Sequence, residues 1–161
     1  MIRGIHHVAI HCQDIDRMKR FYKDAFGFEQ VGDELGWERG TTLIDQVIDV
    51  PGSVARTVML RAGTCYLELF QFAEPEPVNT RPLRPFDKGY THFCADVTDI
   101  ENEFVRLRAA GMKFKYDSPF DAGHVKTIYG QDPEGNIIEI QETVGGCEFP
   151  LENLPDVTAA H

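Results

Sequence analysis

The sequence lacks several features that would fix its class early. It has no cluster of Lys and Arg, and its formal net charge is -10 over 161 residues. Nucleic acid is therefore excluded as the expected partner, because binding a phosphate backbone rests on concentrated positive charge. No apolar stretch approaches the roughly 18 residues of a spanning helix, and the opening MIRGIHHVAIHC holds no long apolar segment of a secretory leader. A cytoplasmic chain with no membrane role is expected. No C-x-x-C pair occurs either: Cys12, Cys65, Cys94 and Cys147 are scattered, which disfavours a zinc ribbon or redox pair and leaves buried free thiols as the expectation. Tryptophan is nearly absent, with Trp37 alone. The 42% hydrophobic content is ordinary, and suits one compact domain or two small halves sharing a core.

What the chain does contain is an internal repeat. Residues 5–27 read IHHVAIHCQDIDRMKRFYKDAFG and residues 90–111 read YTHFCADVTDIENEFVRLRAAG. In both, a His precedes an Asp-Ile pair by seven positions: His7 before Asp14-Ile15, His92 before Asp99-Ile100. Alternating apolar residues give way after the Asp to helical spacing, so each copy predicts a strand followed by a helix. The first helix has an apolar stripe of Ile15, Met18, Phe21, Tyr22 and Ala25, with Asp14 to cap its start and Gly27 its end. The second has Ile100, Phe104, Leu107 and Ala110, a capping box at Thr98–Glu101, and Gly111 at its stop. Three strand-like segments follow each helix: FEQVGDE, ARTVMLRA and CYLELFQF, then MKFKY, VKTIYG and NIIEIQE.

The expected fold class is thus α+β, two tandem βαβββ modules of curved mixed sheet forming a cleft. The first module covers 1–72 with a Gly- and Pro-punctuated insertion near 36–54. A Pro-rich linker covers 73–89, the second module 90–142, and a C-terminal extension 143–161. Each module ends on an apolar strand with one Glu inside it, Leu67-Glu68-Leu69 and Ile138-Glu139-Ile140. His and Glu are separated by 61 residues in the first module and 47 in the second, and the insertion accounts for the longer spacing.

Side chains alternate across a strand. If Val8 and Ile10 pack beneath the helix, His7 faces the other way, and the same argument turns Glu68, His92 and Glu139 away from the core. Should the half-sheets curve and face one another, these four would enter one cleft flanked by Tyr66, Phe70 and Ile137. Two imidazoles and two carboxylates suit a first-row divalent metal. His6 and His11 are expected not to be ligands.

These residues resemble the vicinal oxygen chelate superfamily, which includes glyoxalase I, methylmalonyl-CoA epimerase, extradiol dioxygenases, and fosfomycin and bleomycin resistance proteins. The likeness rests on HHVAI followed by DIDRMKRFY, on Glu68 in YLELF, on His92 in YTHFCADV, and on DPEGNIIEI from Asp132 to Ile140. It implies paired modules of the glyoxalase/bleomycin resistance/dihydroxybiphenyl dioxygenase type around one divalent metal (Ni, Co, Zn, Mn or Fe) held by His7, Glu68, His92 and Glu139. Dioxygenases of the family use two His and one carboxylate, drug-binding members lack the ligands, and the epimerase carries Gln in place of Glu68. The full set therefore resembles glyoxalase most closely. It implies a lyase or isomerase that moves a proton next to a chelated carbonyl through an enediolate or enolate, with Glu139 and Glu68 as the catalytic carboxylates. A methylmalonyl-CoA-type epimerase, an extradiol ring-cleavage dioxygenase and a non-catalytic sequestering protein are the alternatives. The implied substrate is a small molecule with adjacent oxygens, a glutathione or CoA thioester among them, and the implied assembly is a homodimer. Trp37, Arg56, Lys126 and Tyr129 are the expected substrate contacts.

Overall fold

The computed structural model describes residues 4–78 and 81–154. Positions 79–80 of the expected linker and 155–161 of the expected extension lie outside the described residues. The chain divides into two compact units, Gly4–Arg81 and a second that begins at Pro82.

The first unit runs β1 (His7–His11), α1 (Ile15–Phe26), β2 (Glu29–Trp37), α2 (Thr42–Ile48), β3 (Val54–Ala62) and β4 (Cys65–Glu74). Its sheet has the order β1-β4-β3-β2, with β1 parallel to β4 and the other pairs antiparallel. Asp14 caps α1 by accepting from the Arg17 N–H at 2.9 Å. Gly27 closes it in the left-handed region at φ 67°, where a Cβ is costly. The expected stripe of Ile15, Met18, Phe21, Tyr22 and Ala25 is buried, together with Val58, Leu60, Leu67 and Leu69 of the sheet.

The region read as an insertion folds into the end of β2, the helix α2 and a turn. Asp45 organises it, accepting from the Gly52 N–H at 2.8 Å, the Ser53 N–H at 3.0 Å and the Ser53 hydroxyl at 2.8 Å. Those donors hold the Asp45 carboxyl below its ordinary pKa.

The second unit runs β5 (His92–Asp96), α3 (Ile100–Ala109), β6 (Lys113–Phe114), β7 (Phe120–Asp121), β8 (Val125–Gln131) and β9 (Ile137–Thr143), then a 3₁₀ turn over Leu151–Asn153. Its order is β5-β9-β8-β6 with β7 also on β8, and β5 is parallel to β9. The long β2 of the first unit is thus matched by two short pieces, β6 and β7. Ile100, Phe104 and Leu107 of α3 are buried with Met112, Ile128, Ile138 and Ile140. Asp132, fully buried, pins the turn into β9 by accepting from the Glu134 and Asn136 N–H groups at 2.9 Å each.

Two expectations need correction. The capping box at Thr98 does not form: Asp99 is the N-cap, and Glu101 reaches Lys126 at 2.7 Å instead. The first N–H groups of α3 are satisfied from the sheet, because Glu142 accepts from Asp99 at 2.9 Å and Ile100 at 3.3 Å. The first unit does the same with Gln71, which accepts from the Ile15 N–H at 3.0 Å. The cysteines are all free, but only Cys12 is fully buried; Cys65 and Cys147 are half-buried and Cys94 is exposed.

Both units are therefore α+β modules built on mixed sheets. No helix among the described residues is long and apolar enough to cross a membrane.

Candidate functional site

The register of the parallel pairs decides which side chains meet. In the first unit His7 pairs with Tyr66 and Ala9 with Glu68; in the second His92 pairs with Ile137 and Cys94 with Glu139. Each Glu thus lies diagonal to its His on the face away from the helix, within reach of a long side chain. The His7 Nε2 to Glu68 Oε2 distance is 3.3 Å, and the His92 Nε2 to Glu139 Oε2 distance is 3.4 Å.

The remaining polar atoms are held in the same way twice. The other oxygen of Glu68 accepts from the Thr57 hydroxyl at 3.1 Å, and that of Glu139 from Thr127 at 2.7 Å. The Nδ1 of His7 meets His6 Nδ1 at 2.9 Å, and that of His92 meets the Thr91 hydroxyl at 3.0 Å. Each imidazole is oriented through Nδ1 with Nε2 turned to the carboxylate, so that Nε2 and the carboxylate oxygen lie side by side as a pair of metal ligands would. Donors about 2.1 Å from a first-row ion stand roughly 3.0–3.4 Å from each other, and both Nε2–Oε2 distances match that spacing. The donor chemistry and geometry fit a divalent ion. Each unit supplies two such donors; among the described residues no group of three or more His, Cys, Asp and Glu gathers around one point. The pairs are open to a ligand, with His7 41% and His92 31% exposed while Glu68 and Glu139 are 16% and 19% exposed.

The expected substrate contacts separate into two groups. Tyr129 stands on the site face, its hydroxyl 3.4 Å from His92 Nε2 and its ring 5.0 Å from the imidazole. Burial, then the Glu139 charge, pushes its phenol up, so it remains a hydroxyl donor at neutral pH. Trp37 is buried against Phe70 and Phe72 with Nε1 donating to Ser53 at 2.8 Å. It walls that face rather than lying open on it. Arg56 and Lys126 stand on the opposite, helix-bearing side, which corrects the expectation that their charges meet the substrate. Arg56 bridges Asp16 at 2.7 Å and Glu34 at 3.0 Å, and Lys126 bridges Glu101 of α3. Strand alternation requires this, since Thr57 and Thr127, their next neighbours, point to the carboxylates.

Cys94 takes the place that Ala9 has in the first unit. Desolvation, followed by the charges of Glu139 and Asp96, pushes its thiol up to about 12. It stays protonated beside the carboxylate and is no nucleophile at neutral pH.

Sequence reasoning missed Thr57, Thr127 and the orienting roles of His6 and Thr91. A signal was present: Arg56-Thr57-Val58 and Lys126-Thr127-Ile128 repeat the same pattern of cation, hydroxyl and β-branched apolar residue.

Known proteins share this chain's layout. A 2-epi-5-epi-valiolone epimerase from Actinomyces sp is 32% identical over 155 residues, covering 94% of this chain and 80% of that protein. Lactoylglutathione lyase of Schizosaccharomyces pombe is 28% identical over 145 residues, which is 84% of this chain but 46% of that protein, so the chain spans under half of that relative's length. Among solved structures, a glyoxalase family protein from Bacillus cereus superposes with a TM-score of 0.78 at 20% identity, covering 90% of this chain and 97% of the other. With the family model matching residues 4–140, the chain belongs to the Glyoxalase/Bleomycin resistance protein/Dioxygenase superfamily.

Proposed function

We propose that this protein is a divalent-metal-dependent lyase or isomerase of glyoxalase type, which moves a proton on the carbon beside a carbonyl. The observation that carries the reading is the duplicated arrangement of His Nε2 against Glu Oε2, with a Thr on the second carboxylate oxygen. In this reading His7 and Glu68 of one module and His92 and Glu139 of the other are metal ligands. Imidazole and carboxylate donors suit Ni, Co, Zn, Mn and Fe alike. When bound, such an ion polarises a carbonyl and steadies the charge left when the neighbouring proton is removed.

The chain's own part is to move that proton. Glu139 and Glu68 are the carboxylates available, and each Thr steers one oxygen so that the other keeps a directed lone pair. Tyr129 adds a hydroxyl beside Glu139. Return of the proton to the adjacent carbon isomerises the substrate, and return to the same carbon from the other side epimerises it. Epimerisation is the second reading, favoured by the 32% identity to a protein named as an epimerase.

The substrate in this reading is a small molecule with adjacent oxygens, such as a glutathione or CoA thioester. Four free cysteines suit a reducing compartment, and the reading takes the enzyme as cytoplasmic and homodimeric.

Thermal unfolding with added Mn, Co, Ni or Zn, together with metal analysis of purified protein, tests the foundation. A bound ion raises the midpoint with concentration. Absence of both a shift and native metal would overturn the reading. A solvent-deuterium exchange screen over 2-oxo hemithioacetals and acyl-CoA thioesters, with Glu139→Gln as control, then separates lyase from epimerase by the carbon that gains deuterium.

A further inference from the structure

On the site face of the second unit a groove of about 630 Å³ opens at Glu139 and runs across β8 to the β6–β7 segment. That volume falls in the range of roughly 300–1,000 Å³ occupied by small-molecule sites. Its walls are largely apolar, with four aromatic residues among them. Tyr129 stands near the inner end, and Tyr116 and Phe120 meet edge to face at 5.1 Å farther out, all three substantially exposed. Lys113 and Lys115 also line it. Lys113 pairs in register with Gln131, which puts it on the same face as Tyr129.

The two lysines differ from their neighbours. In a chain of net charge -10, Arg106, Arg108 and Lys126 of this unit each have a carboxylate partner. Neither Lys113 nor Lys115 has one among the described residues, and Lys115 lies instead 5.3 Å from the Tyr116 ring. An aromatic groove that starts at a candidate proton carrier and contains two cations without acidic partners is complementary to one kind of ligand.

We propose that this groove seats the non-reacting arm of the substrate, and that the arm is a planar apolar group carrying an anion at its far end. The proposal rests on the reading of Glu139 as proton carrier, since that fixes the inner end of the groove as the reacting end. The break between β6 and β7 is what makes room for the arm, because the continuous β2 of the first unit is there replaced by two short strands.

The probe is 8-anilinonaphthalene-1-sulfonate, a planar aromatic anion, set beside the uncharged N-phenyl-1-naphthylamine. Fluorescence titration of the full chain is expected to show saturable binding of the anion. The Lys113→Gln/Lys115→Gln variant should weaken it about tenfold or more while changing the neutral probe by less than about twofold. Tyr116→Ala/Phe120→Ala should weaken both. Displacement by 4-phenylbutyrate, 2-phenylethyl phosphate and 4-phenylbutanol then identifies the anion, with the alcohol at least about tenfold the weakest. Unchanged anion binding in the lysine variant, or equal displacement by the alcohol, overturns the proposal. The lysines are exposed, so their replacement leaves the core untouched. The exchange assay on the wild type separates the two failures. If proton exchange is absent from the wild type while the lysine effect persists, the functional reading fails and the groove is an anion site of another use. If exchange is present and the lysines prove inert, the groove proposal alone fails.

Discussion

In the first module the strand face that carries His7 and Glu68 continues into Phe70 and Phe72, stacked at 5.8 Å and walled by Trp37. In the second module the positions beyond Glu139 hold Gln141 and Thr143, and Gln141 bonds to Asp96 at 3.3 Å. Closer in, Ala9 is matched by Cys94, Met59 by Tyr129, and Tyr66 by Ile137. The residues that set donor atoms are the same in both modules, namely His, Glu and the Thr behind the Glu. Those that would touch the rest of a ligand differ. Duplication kept the His, the Glu and the Thr, while divergence made the first face aromatic around Phe70 and Phe72 and opened a groove beside Glu139 in the second.

The largest test of this contrast is a pair of substitutions at the carboxylates. Glu139 has Tyr129 and a short 2.7 Å bond from Thr127 beside it, whereas Glu68 has Met59 and a 3.1 Å bond from Thr57. Glu139→Gln is expected to lower the exchange rate about 10²–10⁴-fold, the usual contribution of a positioned base. Glu68→Gln should cost less in rate at matched metal occupancy. Equal losses, read by deuterium incorporation in metal-loaded samples, would mean that the carboxylates act as equivalents.

The cores test the contrast in another way. Leu60 and Gly130 occupy matching places on β3 and β8, opposite Leu67 and Ile138. Leu60 fills its space and is buried, so Leu60→Ala should cost about 2–5 kcal/mol through lost contacts and a cavity. Gly130 leaves its space to others: a Cβ there would stand 2.5 Å from Met112 Cε and 2.7 Å from Phe114 Cε1. Gly130→Ala should therefore destabilise by overpacking, about 1–3 kcal/mol. Urea denaturation measures both. A neutral Gly130→Ala would show that the second core has slack that the Phe104–Phe114 contact at 4.8 Å does not suggest.

Much of this was legible in the sequence because two copies of one pattern constrain each other. The His-to-Asp-Ile spacing located both first strands and both helices, and Glu between apolar neighbours gave the face of the last strands through simple alternation. Alternation applied to β3 and β8 would also have placed Arg56 and Lys126 beneath the helices, but the charge of those residues drew the reading toward a ligand instead. A Glu three positions after Thr98 fits the local rule for a capping box, yet Glu101 turns to Lys126. The competing acceptor, Glu142, comes from a strand more than forty residues away and only the fold brings it near. Helix α2 was hidden for a similar reason, since Asp45 holds it together through Gly52 and Ser53 rather than through a strong apolar stripe.

A smaller effect is expected at the threonines. Groups that orient a metal ligand typically change affinity about 10–100-fold when removed. Thr127→Val should fall within that range, and Thr57→Val nearer its lower end because its bond to the carboxylate is longer. Calorimetric titration with Zn or Mn compares the two. A larger loss at Thr57 would reverse the ranking of the modules.

The smallest expected effect is at the ion pairs that fasten helix to sheet, Asp16 with Arg56 in the first module and Glu101 with Lys126 in the second. The Arg56 hydrogen bond, then burial opposing it and the Arg56 charge supporting it, leaves the Asp16 carboxyl below its ordinary pKa. A lowered folded pKa contributes stability that is fully present above the unfolded value, near 3.9 by rough reference, and that is lost as pH falls through the lower folded one. Because Asp16 is 48% exposed, solvent screens the pair and about 0.5–1 kcal/mol is the expected scale. The difference in stability between wild type and Asp16→Asn should thus be visible at pH 6–7 by about that amount, shrink with added salt, and vanish as the pH falls through the lowered folded value. Glu101 is also held below its ordinary value, first by Lys126, and Glu101→Gln should show the same sign. Arg56 also reaches Glu34 and Gln71, whereas Lys126 bonds to Glu101. Asp16→Asn therefore leaves Arg56 partly satisfied, and the first module should tolerate loss of its helix carboxylate better than the number of contacts at Arg56 suggests.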